Sequence, residues 1–352
     1  TSAAWGDYDN DGDLDLYVGK NNLENLLYQN NDVHRQDDLR SLFSLDSSLD
    51  TGDWRDTENV TWIDYDIDGD LDLYVVNREQ RNSLYRNDGS GLEFIEVACA
   101  ITVANREIGR AAAWGDFDND GDPDLYLANV GANALYRNEG ADLFVDIATS
   151  AGVRQIQSDW LTSDAAWADY DGDGWLDLYL ANGGMEQSQV DHLLGNNGDA
   201  TFSDVTNLAG LPTAPSSHTA VAWGDYDGDG TPDLYLADGT ADQGDRLFRN
   251  NAPTESFMTV QLLSRSTLSV VPGEVRLLIG TRVRLLRQST GQLLASRQTF
   301  PRAGGLELIF GTPSVAGPYS LQVFFPGRDE AQMVEGVEAG AGLIQVFEDP
   351  SE

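Results

Sequence analysis

The feature that most constrains this chain is a repeat that recurs five times in its first 255 residues. Aligned on a tryptophan, three copies read Trp5-Gly-Asp7-Tyr-Asp9-Asn-Asp11-Gly12-Asp13-Leu-Asp15, Trp62-Ile-Asp64-Tyr-Asp66-Ile-Asp68-Gly69-Asp70-Leu-Asp72 and Trp114-Gly-Asp116-Phe-Asp118-Asn-Asp120-Gly121-Asp122-Pro-Asp124. Two more follow, Trp167-Ala-Asp169-Tyr-Asp171-Gly-Asp173-Gly174-Trp175-Leu-Asp177 and Trp223-Gly-Asp225-Tyr-Asp227-Gly-Asp229-Gly230-Thr231-Pro-Asp233. Successive copies are 57, 52, 53 and 56 residues apart, which is a structural period. Before each loop runs a small apolar strand such as Ala111-Ala-Ala-Trp114, and after it an alternating one such as Leu125-Tyr-Leu127. A Leu-Tyr-Arg-Asn element (Leu84 to Asn87, Leu135 to Asn138) and a Phe-x-Asp-Val element (Phe144 to Ile147, Phe202 to Val205) complete four short strands per repeat. That arithmetic predicts an all-β chain, a β-propeller with the small-residue strand innermost.

Numbering the first Asp of each loop as 1, positions 1, 3, 5 and 9 are Asp in all five copies and position 6 is always Gly. Carboxylates this close repel unless a hard cation sits among them, and a ligand set of oxygens with neither His nor Cys points to Ca²⁺ over Zn²⁺. Position 7 varies (Asp13, Asp70, Asp122, Trp175, Thr231), which suggests that its backbone carbonyl is the ligand. An EF-hand is excluded, because it needs Glu at position 12, where this chain has Val18, Val75, Leu127, Leu180 and Leu236 inside strands. The expectation is about five Ca²⁺ ions, one per loop.

These loops also account for the charge. The chain carries 59 acids against 21 Lys+Arg, a formal -38, and a split near residue 255 puts -37 in residues 1–255 and -1 in residues 256–352. The first segment reads as the propeller, the second as a further all-β segment. Acidity of this order excludes a nucleic-acid partner, which needs a basic face. With 41% hydrophobic residues the chain has enough apolar material for a core. No apolar run is long enough to span a membrane, and the expectation is a processed or trimmed chain whose signal peptide is not among these residues. Cys99 is alone and is expected to be a buried apolar thiol.

The run Trp-Gly-Asp-Tyr-Asp-x-Asp-Gly-x-x-Asp-Leu-Tyr with Leu-Tyr-Arg-Asn and Phe-x-Asp-Val-Thr resembles the FG-GAP (VCBS) repeats of integrin α-subunit propellers and many secreted bacterial proteins. Residues 256–352, with Ile279 to Leu285, Leu308 to Gly311 and Leu321 to Gly327, resemble the ASPIC/UnbV segment that ends the cartilage acidic protein family. The Gly-Tyr-x-Ser-Gln run of that family is replaced here by Phe300 to Gly304. The resemblance implies an extracellular or envelope protein with calcium in each blade and no established reaction. It also implies seven blades, where five loops are read. Blades lost before residue 1 are one account. Otherwise the C-terminal strands either close a seven-bladed ring or form a small β-sandwich beside five blades.

The case for catalysis is thin, since His34, His192 and His218 fall in three repeats and neither a nucleophile elbow nor a phosphate loop is present. His218, Arg110, Glu58 and Asp164, at the approach to the inner strands, form a candidate polar ring at one mouth of the funnel. An enzyme acting there on a polysaccharide or small metabolite is the alternative to the leading expectation, a calcium-stabilised scaffold that binds a protein or a glycan. Trp54, Trp160 and Trp175 are candidates for stacking on sugars, and the insertion from Asn31 to Arg55 is a candidate recognition loop. Oligomeric state is not readable.

Overall fold

The computed structural model describes residues 2–11, 14–30, 43–46, 55–89, 94–154, 161–184, 187–240, 244–263, 281–298, 307–312, 318–325, 330–338 and 342–347. Asp13, Trp54, Trp160 and most of the Asn31 to Arg55 insertion lie outside the described residues.

Five antiparallel sheets follow one another along the chain, as the repeat predicts. Their inner strands are Ser2–Gly6, Thr57–Ile63, Ile108–Gly115, Thr162–Ala168 and His218–Gly224. Each pairs with the strand that follows its loop (Asp15–Gly19, Asp72–Asn77, Asp124–Val130, Asp177–Gly184, Asp233–Asp238). The third strands carry the Leu-Tyr-Arg-Asn element, and the first four sheets have a fourth, outer strand. Each inner strand packs on the next, from the first blade through to the fifth. The protein is therefore a β-propeller.

The junctions between blades are built from one aromatic device. The tyrosine of the second strand meets the next blade's motif tryptophan edge-on, as Tyr17 to Trp62 at 81°, Tyr74 to Trp114 at 86°, Tyr126 to Trp167 at 86° and Tyr179 to Trp223 at 82°. Such T-shaped pairs place a positive ring edge against a negative face. At two junctions the loop's aromatic at position 2 also stacks on that tryptophan, Tyr8 on Trp62 and Phe117 on Trp167, both with centroids 6.0 Å apart. Trp62 and Trp167 then donate their indole N–H to Ala4 O and Ala113 O of the blade before. Among the described residues the device has no counterpart at the two outer edges, where Trp5 and Tyr235 are each 41% exposed.

The C-terminal strands take the sandwich arrangement. One sheet orders Glu307–Gly311, Phe257–Leu263 and Gly342–Phe347, the other Gln292–Gln298, Arg282–Arg287, Tyr319–Phe324 and Gln332–Val337. Alternate residues of both sheets, among them Val260, Phe310, Leu285, Leu321 and Val346, share a single core. This sandwich sits over the mouth of the propeller that carries the acidic loops: Gly121 faces Arg284 and Leu293, Gly172 faces Ser256 and Phe257, and a Cβ at Gly311 would collide with the Asp169 carboxylate. Cys99 departs from expectation, lying exposed with Arg81 Nη1 3.2 Å from its sulfur. It follows a two-residue outer strand, Ile95–Glu96, too short to cover it.

Candidate metal centres

The four loops in which both positions are described turn back on themselves through two residues of left-handed backbone. Position 6 needs glycine, with φ of +98° at Gly69, +104° at Gly121, +96° at Gly174 and +90° at Gly230. Position 4 has the same sense (Asn10, Ile67, Asn119, Gly172, Gly228), a requirement the sequence pattern did not announce because Ile67 breaks it. The turn folds the carboxylates together. Oxygens of positions 1, 3 and 9 lie within 4.8 Å of one another in four loops: Asp7, Asp9 and Asp15; Asp64, Asp66 and Asp72; Asp116, Asp118 and Asp124; Asp169, Asp171 and Asp177. In the fifth loop the cluster is Asp225, Asp227 and Asp229, with Asp233 outside it.

The remaining positions shape the loop. Position 5 (Asp68, Asp120, Asp173, Asp229) caps the backbone N–H of position 7 (Asp70, Asp122, Trp175, Thr231) at 2.9–3.0 Å. Asp11 belongs to the same position but is not in the first loop's cluster. Side chains at position 7 differ in what they do: Asp70 accepts from Asn10 Nδ2 at 2.6 Å, Trp175 packs beside Gly198, and Thr231 Oγ1 donates to Asp229 of the fifth cluster at 2.6 Å. At position 1 the carboxylate accepts from the backbone of residues 5 and 6, as at Asp116, Asp169 and Asp225.

The position 9 aspartates are almost wholly buried, at 0–1% exposure. In every loop one oxygen accepts the N–H of position 2 at 3.0–3.2 Å. The other accepts the N–H of a recurring asparagine, Asn30, Asn87, Asn138, Asn196 or Asn250, at 2.7–2.9 Å. These asparagines are functional residues that sequence reasoning saw only as the end of a Leu-Tyr-Arg-Asn strand.

Burial, then mutual repulsion, sets the electrostatics. Desolvation pushes Asp15 up to about 8, with Asp9 adding to it, and Asp177 up to about 9. Desolvation raises Asp64 to about 7, Asp116 to about 8 and Asp169 to about 7, although Arg282 opposes the first and Arg297 the other two. Asp72 and Asp124 are held well above the usual carboxylate range by the same burial. Asp64 Oδ1 is buried without a hydrogen-bond donor. Three all-oxygen donors with such strained charges fit a hard divalent cation, which would relieve both the repulsion and the orphaned oxygen.

The other candidates are dispersed. Glu58 and Arg110 are the extra residues of β-bulges that recur near the start of inner strands, and the two meet at 3.4 Å across adjacent blades. His218 is buried in the junction of the last two blades, its Nδ1 bound to Asp191, whose carboxylate also accepts from Tyr179 and Ser216. In the first three junctions the equivalents of Asp191 are Asn25, Asn82 and Asn133, and two of these bond a threonine of the next blade, Thr57 and Thr162. Asp164 accepts from Ala165 N and Val221 N, tying the fourth inner strand to the fifth. The structure thus brings Glu58 and Arg110 together and holds His218 and Asp164 in separate pairs.

Asp-rich loops at the ends of propeller blades, five times over, define the class: a propeller of repeats whose loops can hold metal ions. An FG-GAP-like repeat family model matches residues 64–127, 116–180 and 169–236. Cartilage acidic protein 1 of Mus musculus is 29% identical over 216 residues, covering 57% of this chain and 30% of that protein. The Homo sapiens protein of the same name is 27% identical over 201 residues, covering 51% and 29%. Residues 64–236 therefore carry FG-GAP-like repeats, and the chain is similar to cartilage acidic protein 1, its matches spanning under a third of those relatives' length. Among solved structures, an Agrocybe aegerita lectin that recognises non-reducing terminal N-acetylglucosamine is 20% identical, with a TM-score of 0.40 over 70% of this chain and 65% of that one. The Dos1 propeller is 8% identical, with a TM-score of 0.39 over 96% and 83%. Among the described residues no helix is long and apolar enough to cross a membrane.

Proposed function

We propose that this protein is a calcium-stabilised interaction scaffold, working outside the cell or in the envelope, in which residues 1–255 form the calcium-loaded propeller and residues 256–352 an ASPIC/UnbV-like cap. The observation that carries it is the recurrence, in all five loops, of three aspartate oxygens drawn within 4.8 Å of one another. Five ions would bring +10 and take the formal charge from -38 to about -28. Bound to the folded state alone, each ion would contribute about 2.7 kcal/mol at a hundredfold excess over Kd. Millimolar Ca²⁺ outside the cell suits the weak end of such sites. The residues proposed as ligands are positions 1, 3, 5 and 9 through carboxylates and position 7 through its carbonyl. The partner would be a protein or a glycan held on the rigid blades. Glu58 pairs with Arg110 and His218 with Asp191, so the four residues do not converge on one point, which supports a scaffold over catalysis in the funnel. Calorimetric titration of chelated protein with Ca²⁺ tests the reading: about five equivalents and a higher Tm are expected, and an unchanged Tm in chelator would overturn it.

A further inference from the structure

The inner strands of all five blades line a cavity of about 840 Å³, and residues of the C-terminal sandwich line it at the end that bears the acidic loops. Its walls combine small apolar residues, Ala3, Ala112, Ala165 and Ala222 among them, with the five motif tryptophans and the carboxylates of Asp116, Asp164 and Asp169, and its roof carries Arg282 and Arg297. Both arginines are more than nine-tenths buried, at 8% and 9% exposure. Nε and Nη1 of Arg282, and Nε and Nη2 of Arg297, have no hydrogen-bond acceptor among the described residues. Asp169 stands 4.0 Å from Arg297 Nη2, an ion pair too long for a hydrogen bond. Arg282 lies over the Phe324 ring at 4.4 Å, which fixes the guanidinium plane without satisfying its donors. Buried charged donors without acceptors are costly, and a void of this size lined by apolar walls and a few convergent polar groups has the build of a small-molecule site.

We propose that this axial cavity binds a small organic oxyanion, its carboxylate or phosphate held by Arg282 and Arg297 and its apolar body seated against the alanine-lined inner strands. A guanidinium presents planar paired donors that match either oxyanion. A role as mere counter-charge to the loops accounts less well for the pair, because it leaves four donors without acceptors. The proposal stands on the cavity and the two arginines and does not require the loops to hold ions.

The test is calorimetric titration of the full chain, once with Ca²⁺ and once with chelator, using phenylphosphonate, phenylacetate and, as the uncharged body, benzyl alcohol. One site per chain is expected for at least one oxyanion, with the alcohol at least tenfold weaker, and the two anions separate phosphate from carboxylate. Arg282→Gln should weaken the anion at least tenfold. Ala222→Trp, at an exposed inner-strand position that lines the cavity, should weaken binding by narrowing the space for the apolar body without removing the arginines. Absence of binding under both conditions, equal binding of the alcohol, or anion binding unchanged in either variant would overturn the proposal.

Discussion

Asn138 donates its backbone N–H to the buried Asp124 Oδ1 at 2.8 Å, and its side-chain amide reaches Tyr65 O, in the loop of the preceding blade, at 3.0 Å. One residue therefore holds a cluster carboxylate in place and staples two blades. The same side-chain bridge recurs from Asn87 to Tyr8 O, from Asn196 to Phe117 O and from Asn250 to Tyr170 O. Asn30, in the first blade, donates instead to Leu14 O of its own loop at 3.3 Å. Asn138→Ala leaves buried carbonyls without their donor and should cost about 1–3 kcal/mol in urea unfolding, with Asn30→Ala costing less. Equal costs would show that the bridge between blades contributes nothing.

The motif tryptophans make a second comparison inside one molecule. Trp62 is 1% exposed between Tyr8, Tyr17 and Phe94, whereas Trp5, at the same repeat position, is 41% exposed beside Phe43. Trp62→Ala should cost about 3–5 kcal/mol through the cavity it leaves. Trp5→Ala should cost about 1 kcal/mol or less. Denaturant titration of the two variants reads the difference directly, and comparable losses would mean that the first blade's edge is covered in solution.

Ile67 occupies the left-handed fourth position of its loop at φ +65°, where the other loops place Asn10, Asn119, Gly172 and Gly228. A β-branched side chain is costly there, at about 1–3 kcal/mol. Ile67→Asn should therefore stabilise the protein by about 1 kcal/mol, seen as a higher urea midpoint at unchanged slope. A lower midpoint would mean that Ile67 packing outweighs its backbone strain.

What could be read from residues alone was what repeats locally. The Trp-to-Asp spacing gave the blades and their inner strands, and the Asp pattern located the clusters, since positions 1, 3 and 9 are brought together by one tight turn. Less legible was whatever depends on partners far along the chain. Asn138 bonds Tyr65, 73 residues earlier, and nothing in Leu-Tyr-Arg-Asn indicates that. Arg282 and Arg297 looked like ordinary strand residues because their burial arises only when the sandwich settles on the loop mouth. By sequence position His218 is an axial polar residue, but the replacement of the junction asparagine by Asp191 draws it inward. Asp13 and the first insertion fall outside the described residues.

The raised carboxylates set a pH dependence whose sign follows from linkage. Asp15, Asp64, Asp116, Asp169 and Asp177 are held at about 8, 7, 8, 7 and 9, chiefly by desolvation, against 3.8 as their ordinary value. A group whose folded value lies above its unfolded one favours the fold while protonated, and that contribution is lost as pH rises through the folded value. Protein in chelator should therefore lose Tm steadily between pH 5 and pH 8. Calcium competes with those same protons, so its affinity should rise over the same interval and its stabilising effect should be larger at pH 8 than at pH 5. Thermal melts at pH 5, 6.5 and 8, with Ca²⁺ and with chelator, separate the two terms. A chelated protein whose Tm is flat or rising with pH would show that the clusters do not carry the strained charge their burial implies, and a calcium effect independent of pH would show that the ions bind elsewhere.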